Sequence, residues 1–207
     1  MRHRARLIIF AFTLAAVAGF VMGAAYQVWR EPRDIMAGFE AAVANAAGGY
    51  NTCFHRRTPA MRPGGIRRGN PDVLPSTLAY DLSAGPVRVS GRTWPAYWSL
   101  SVYQHNSDNI FVINDRALDG DEFAIVLSED PIEVAEPAIN VVSPSRTGLV
   151  VIRRLATRDS AMDALRANQD LMECGPLEPQ NTISGGLDLR AAGPGRRGAD
   201  TAQGDVT

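Results

Sequence analysis

Cys53 and Cys174 are the only two thiols in the chain, and His55 and His105 are the only histidines apart from His3 near the N-terminus. Two cysteines in one small domain pair when the compartment is oxidising. Closing so long a loop is worth about 4–5 kcal/mol in the chain-entropy picture. Two distant cysteines without histidines at ligand spacing do not make a zinc site, so neither a metal nor a cofactor is expected. A catalytic histidine needs an oriented nucleophile or carboxylate beside it. His105 lies beside Asn106 and Asp108 in a turn sequence and reads as solvated. His55 stands next to Arg56 and Arg57, whose charges disfavour its protonated form.

The carboxylates offer a second chemistry. Asp72, Asp81 and Asp115 could perform general acid–base work if they met in one cleft with an Arg or His partner. Asn114-Asp115-Arg116, with Asp119, Asp121 and Glu122, lacks the spacing of an EF-hand loop; pairing of Asp115 with Arg116, or capping of a turn, is the simpler reading. Glu129, Asp130, Glu133 and Glu136 read as a solvated edge that discourages strand-to-strand association. Arg56, Arg57, Arg62, Arg67 and Arg68 form the densest basic cluster. It suits headgroups or anionic glycans through bidentate hydrogen bonds, or internal pairing with those same carboxylates. Trp94, Tyr97, Trp98 and Tyr103 concentrate aromatic surface around one strand, where filling a core is the expected use and stacking on sugar the alternative. Formal net charge is -1 and every basic residue is arginine; a general nucleic-acid binder would carry a basic excess.

The elements that must position these residues begin with an anchor. Arg2, His3, Arg4 and Arg6 precede an uncharged run from Leu7 to Trp29, closed by Arg30. As a helix that run is about 34 Å long, enough for a hydrocarbon core of about 30 Å. The basic cluster before it sets the N-terminus inside and the remainder outside, with Tyr26 and Trp29 at the interface. Gly23-Ala24-Ala25 fits a signal-peptide cleavage site, but the apolar run exceeds the roughly 7–15 residues of such peptides, so a retained anchor is expected. Ala11, Ala15, Gly19 and Gly23 recur every fourth residue, a small-residue face on which two spans could dimerise.

Beyond the span, Pro32 and Asp34 can open a short helix with Ile35, Phe39 and Val43 on one face, stopped by Gly48-Gly49. From Tyr50 to Pro75 the chain is rich in Arg, Pro and Gly and lacks period. Short apolar runs follow, at 77–82, 86–90, 97–104, 109–114, 122–127, 138–142 and 148–155, punctuated by Ser83-Ala84-Gly85, Asn106-Ser107-Asp108, Asp119-Gly120-Asp121 and Ser143-Pro144-Ser145. Many short strands with frequent turns predict an antiparallel sandwich or half-barrel. Trp98, Leu100 and Val102 should face one way, and Tyr97, Ser99, Ser101 and Tyr103 the other. A helix is predicted over 159–172, with Met162, Leu165 and Gln169 on one side and Gly175-Pro176 ending it.

Three stretches carry a family resemblance: Asn70-Pro71-Asp72-Val73-Leu74, Tyr80-Asp81-Leu82-Ser83-Ala84-Gly85-Pro86-Val87, and Tyr97-Trp98-Ser99-Leu100-Ser101-Val102-Tyr103. Together with 109–116 and 143–149, they make the chain similar to the bacterial family known as domain of unknown function 1254, in its short, membrane-anchored branch. The resemblance covers roughly residues 50–174. It implies a β-rich domain that longer members join to a domain of unknown function 1214, so that a separate protein of that second type is an expected partner here. Val73, and Pro75 after Leu74, depart from the commoner wording of the first motif. No activity transfers with the resemblance.

The reading that results is mainly β, with one transmembrane helix and short flanking helices. Residues 1–6 are cytoplasmic, 7–29 span, 30–49 form a juxtamembrane helix, 50–178 an exported domain and 179–207 a disordered tail. The function expected is a non-enzymatic envelope module at the inner membrane that binds a partner protein or envelope ligand, through positions among Arg67, Arg68, Asn70, Asp72, Tyr80, Trp98, Tyr103, Asn114, Asp115 and Arg116. A periplasmic hydrolase using Asp72, Asp81 and Asp115 is the alternative.

Overall fold

A computed structural model of the protein describes residues 2–58, 72–118, 120–135, 137–156 and 162–178. Its first element is one helix, α1 (Arg2–Ala47), with Pro32 inside it. The two helices expected on either side of residue 30 are therefore continuous. A proline removes one backbone donor and tends to kink a helix rather than end it, and side-chain pairs four residues apart straddle it. Arg30 pairs with Asp34 at 2.8 Å, and the Arg33 guanidinium sits 4.0 Å above the Trp29 ring. Gly48, at φ +85°, then turns the chain off the helix, as anticipated.

The strands form two sheets. The first holds β1 (Phe54–His55), β2 (Val73–Asp81), β8 (Thr147–Leu155), β4 (Trp98–Gln104) and β5 (Asn109–Asn114), in the order β1-β2-β8-β4-β5. The second holds β7 (Ile139–Val142), β6 (Glu122–Ser128), β3 (Val87–Arg92) and β9 (Glu173–Pro176), in the order β7-β6-β3-β9. Helix α2 (Met162–Asp170) precedes β9. Several strands differ from expectation, beginning with β1 and the start of β2, which lie in the stretch 50–75 read as lacking period. β7 runs parallel to β6, so the second sheet is mixed; the connection 129–138, read as a solvated edge, carries the chain back along β6. Gly175 and Pro176 lie in β9 instead of ending a helix.

Between the sheets lies one core. Leu78, Tyr80, Leu100, Val102, Val150 and Ile152 from the first sheet meet Val87, Val89, Phe123, Ile125 and Leu127 from the second, which makes the fold a sandwich. Trp98 stacks on Phe123 with ring centroids 5.4 Å apart, the core reading of that aromatic. Tyr97, by contrast, is 46% exposed. Cys53 and Cys174 are joined, Cα to Cα 5.5 Å. Because Cys53 adjoins edge strand β1 and Cys174 lies in edge strand β9, the bridge staples the two sheets along one side.

The outer face of the first sheet is covered in part by α1. Met36 and Ala44 are buried against Ala79 and Leu149, with Val43, Tyr103 and Val151 around them. The helix thus presents Met36, Glu40 and Ala44 to the sheet, while Ile35 and Phe39 of the expected face remain exposed at 51% and 41%. The reason is register: Glu40 takes the central position because it has a partner on the sheet, and the apolar stripe is rotated about one residue away.

Candidate functional site

Tyr103 and Tyr80 belong to the end of the first sheet where α1 is attached. Ser107, in the β4–β5 hairpin turn at φ +76°, donates its hydroxyl to the Pro32 carbonyl at 3.1 Å. In the same turn, His105 Nδ1 lies 3.0 Å from Glu40 Oε1, and Glu40 is only 3% exposed. His105 is therefore a clasp between helix and sheet, not a solvated turn residue. A buried carboxylate is retained only where it finds such a partner.

Tyr80 is fully buried. Its hydroxyl bonds the Tyr103 carbonyl at 3.3 Å and Ser143 Oγ at 2.9 Å, and burial raises its pKa above the usual phenol value. The ring passes over Gly148, where a Cβ would meet the Tyr103 carbonyl oxygen at 2.2 Å and the Tyr80 hydroxyl at 2.4 Å. Asp81 caps the adjacent turn. Its carboxylate accepts from the Ser83 hydroxyl and backbone N–H, and these bonds hold its pKa below the ordinary value. Asn51, just past α1, bonds the Asp81 backbone in both directions at 2.8 Å. This end is a joint, closed by its own neighbours.

The opposite end of the sheet gathers most of the other sequence candidates. Asp72 precedes β2, and its carbonyl accepts from Ala156 N–H at 2.7 Å. Trp98 opens β4 opposite Arg154, and Asp115 N–H reaches the Trp98 carbonyl. Asn114 Oδ1 accepts from the Arg116 N–H at 3.0 Å, so Asn114 caps the turn for which Asp115 and Arg116 were candidates. Arg67, Arg68 and Asn70 lie outside the described residues. The hydrolase set does not assemble. Asp72 and Asp115 are separated by three strand spacings, about 14 Å, and Asp81 lies a strand length of about 30 Å from Asp72. Two catalytic carboxylates work at roughly 5–9.5 Å.

Beneath this end lies a cluster that sequence reasoning missed. Arg154 is 1% exposed, with Ser76 and Gln169 fully buried beside it. Its Nε donates to Asn168 Oδ1 at 2.6 Å and its Nη1 to Ser76 Oγ at 3.2 Å. No carboxylate pairs with it among the described residues. Among the described residues, Nη2 and the Gln169 Oε1 have no hydrogen-bond partner, and burial lowers the Arg154 pKa to about 10. Ser76 Oγ also receives Gln169 Nε2 at 3.2 Å and lies 2.9 Å from His55 Nδ1. Gln169 Nε2 also reaches the Arg56 and Pro75 carbonyls at 3.3 and 3.4 Å, so Ser76 Oγ is one of several acceptors around that amide. Burial, then Arg57 and Arg154, lower the His55 pKa, as the neighbouring arginines led one to expect. A serine–histidine contact is a hydrolase feature, but this serine is sealed from solvent.

The signal for Arg154 was its neighbour. Adjacent residues on a strand point to opposite faces, so Arg153-Arg154 must send one guanidinium inward. Arg153 takes the outer face, with Nη1 3.5 Å from Ser101 Oγ. Burial acts to raise the Tyr103 pKa, but hydrogen bonding and charge from Arg153, aided by Asn109 and Ser101, outweigh it and leave that pKa lowered. Of the Arg-rich segment, Arg57 pairs with Asp170 of α2, while Glu129 pairs with Arg146. Among the described residues no group of three His, Cys, Asp or Glu could hold a metal ion.

A family model described as protein of unknown function, DUF1254, matches residues 50–176, more than half of the chain. The chain belongs to this family. The match begins at the end of α1 and runs through β9, so the family is the sandwich itself. No curated protein matches. Among solved structures, the VPA0106 protein of Vibrio parahaemolyticus is similar at TM-score 0.56 and 16% identity, over 86% of this chain and 41% of that one. A putative uncharacterized protein from Burkholderia cenocepacia gives TM-score 0.43 and 17% identity, over 75% and 40%. The first likeness supports the fold, and this chain spans about two fifths of the length of both.

Proposed function

We propose that this DUF1254 chain is a non-enzymatic envelope module: α1 anchors it in the inner membrane, and its sandwich, outside the cytoplasm, docks a partner protein. One observation carries the reading. The apolar part of α1 has none of its surface buried, yet the same helix continues without a break into Met36, Glu40 and Ala44, which are locked onto the sheet. Anchor and domain are one rigid piece, with the end bearing Asp72, Asn114, Asp115 and Arg116 held a strand length from the joint. The disulfide supports an oxidising compartment. The absence of an assembled acid–base set among the described residues supports binding over catalysis. The expected partner is a separate protein of the domain of unknown function 1214 type, in keeping with a likeness that covers only 41% of the Vibrio parahaemolyticus protein. Pairing of two spans through Ala11, Ala15, Gly19 and Gly23 is compatible with this, because both glycines face open space.

Alkaline carbonate extraction of membranes tests the anchor: the intact chain should stay in the pellet, with its domain open to protease added on the outer side. A soluble chain beginning near Ala24 would overturn the anchor. For docking, charge reversal at Arg116 (Arg116→Glu) should abolish crosslinking to the partner while leaving the melting temperature unchanged. Retained crosslinking would remove this end of the sheet from the interface.

A further inference from the structure

The sandwich is treated differently along its two sides. On one side the disulfide joins the edges through β1 and β9. On the other side the first sheet ends at β5, whose sequence Asn-Ile-Phe-Val-Ile-Asn has no charge, Pro or Gly. Phe111 and Ile113 turn toward the core, while Val112 is 53% exposed. Among the described residues no backbone hydrogen bond reaches the outer edge of β5. Soluble proteins protect such edges with charges, proline, bulges or a cover. Here the pairing skips Ile110 between Val102↔Phe111 and Tyr103↔Asn109, a bulge at the start of β5 itself, and only Phe111 to Asn114 beyond it keep a regular ladder.

We infer that β5 is a strand-addition site whose occupant is an extended apolar segment of a different protein, laid along β5 to make a sixth strand of the first sheet. This deepens the partner-docking reading above and rests on it. The alternative occupant, a second copy, is excluded by symmetry once α1 crosses a membrane. Antiparallel pairing of β5 with its own copy needs a two-fold axis perpendicular to the sheet. Met36, Glu40 and Ala44 all touch one face, so α1 runs along the sheet rather than out of it. A two-fold axis normal to the sheet reverses such a helix, and the two spans would point in opposite directions. Twist between β8 and β5, roughly 45° over two strands, still leaves the spans crossing at about a right angle or worse. Tilts of membrane helices stay within roughly 40° of the bilayer normal. Parallel pairing in register gives an open stack, not a closed dimer. An unlike partner carries no such constraint, and the Asn114-Asp115-Arg116 turn at the end of β5 continues the added strand toward the docking end.

The probe is a synthetic peptide with the sequence of residues 108–116, which has β5 chemistry and no span. It is added to the full chain in nanodiscs and followed by hydrogen–deuterium exchange. Exchange in β5 should slow at least several-fold, and the same peptide N-methylated at alternate residues should do nothing. Val112→Lys, at a position already facing solvent, should weaken peptide binding at least tenfold with an unchanged melting temperature. Protection that falls on β7 or β9, equal action by the methylated peptide, or no protection at all overturns the site. Full chains that dimerise in nanodiscs with β5 protected overturn the choice of occupant. A failed anchor is read separately, as chain that does not incorporate into the nanodiscs.

Discussion

The two ends of the first sheet use polar residues in opposite ways. At the joint with α1, both buried polar side chains described above are answered by a neighbour: Tyr80 by Ser143 and the Tyr103 carbonyl, Glu40 by His105. At the far end, Arg154 is held by two neutral acceptors, and both Nη2 and Gln169 Oε1 stand without partners among the described residues. A satisfied network rigidifies a core, whereas a partly satisfied one is a cost retained for another reason. The difference teaches that the chain spends its structural order on fixing α1 to the sandwich. Its unresolved polarity lies at the end that faces away.

The largest expected effect tests the staple that holds both ends in one fold. Replacing Cys53 and Cys174 by serine should cost about 4–5 kcal/mol for a separation of 121 residues in the chain-entropy picture, read as a lowered denaturant midpoint. Gly148→Ala strikes the joint itself: its Cβ would collide with backbone, and a loss of about 3–4 kcal/mol is expected. Full stability of that variant would break the comparison. Next come the two buried networks set side by side. Tyr80→Phe should cost about 1–2 kcal/mol by leaving Ser143 short of a partner. Arg154→Met should be neutral or stabilising by about 1 kcal/mol, because a buried charge without a counter-ion is exchanged for apolar packing. Equal losses in both would show that the far end is as well satisfied as the joint.

The smallest effect is a pH dependence at His55. Its folded pKa is depressed, so below the unfolded value of about 6.5 the unfolded chain takes a proton that the folded chain refuses. Stability from this residue is full above that pH, declines as pH falls toward the folded pKa, and is level below it. His55→Gln should flatten that part of the stability profile; an unchanged slope would move the titration elsewhere.

Much of the fold was legible along the chain because strands and turns are local. The run 109–114 coincides with β5, and the Ser83-Ala84-Gly85 and Asn106-Ser107-Asp108 turns sit where alternation breaks. The long uncharged helical run and its flanks, the pairing of the two cysteines and the inward face of Trp98 follow from residue type, spacing and number alone. Three things needed the tertiary structure. The helix face turned from Ile35 and Phe39 to Met36, Glu40 and Ala44, because the partner of Glu40 is His105, distant in sequence. The carboxylates Asp72, Asp81 and Asp115 were scattered by strand order, which no local pattern encodes. Arg154 went inward to meet Ser76, Asn168 and Gln169, a choice that alternation narrows to one of two arginines and only packing against α2 decides. Short-range preferences are written residue by residue, whereas which buried polar groups meet depends on long-range pairing of strands, and that exists only once the chain has closed on itself.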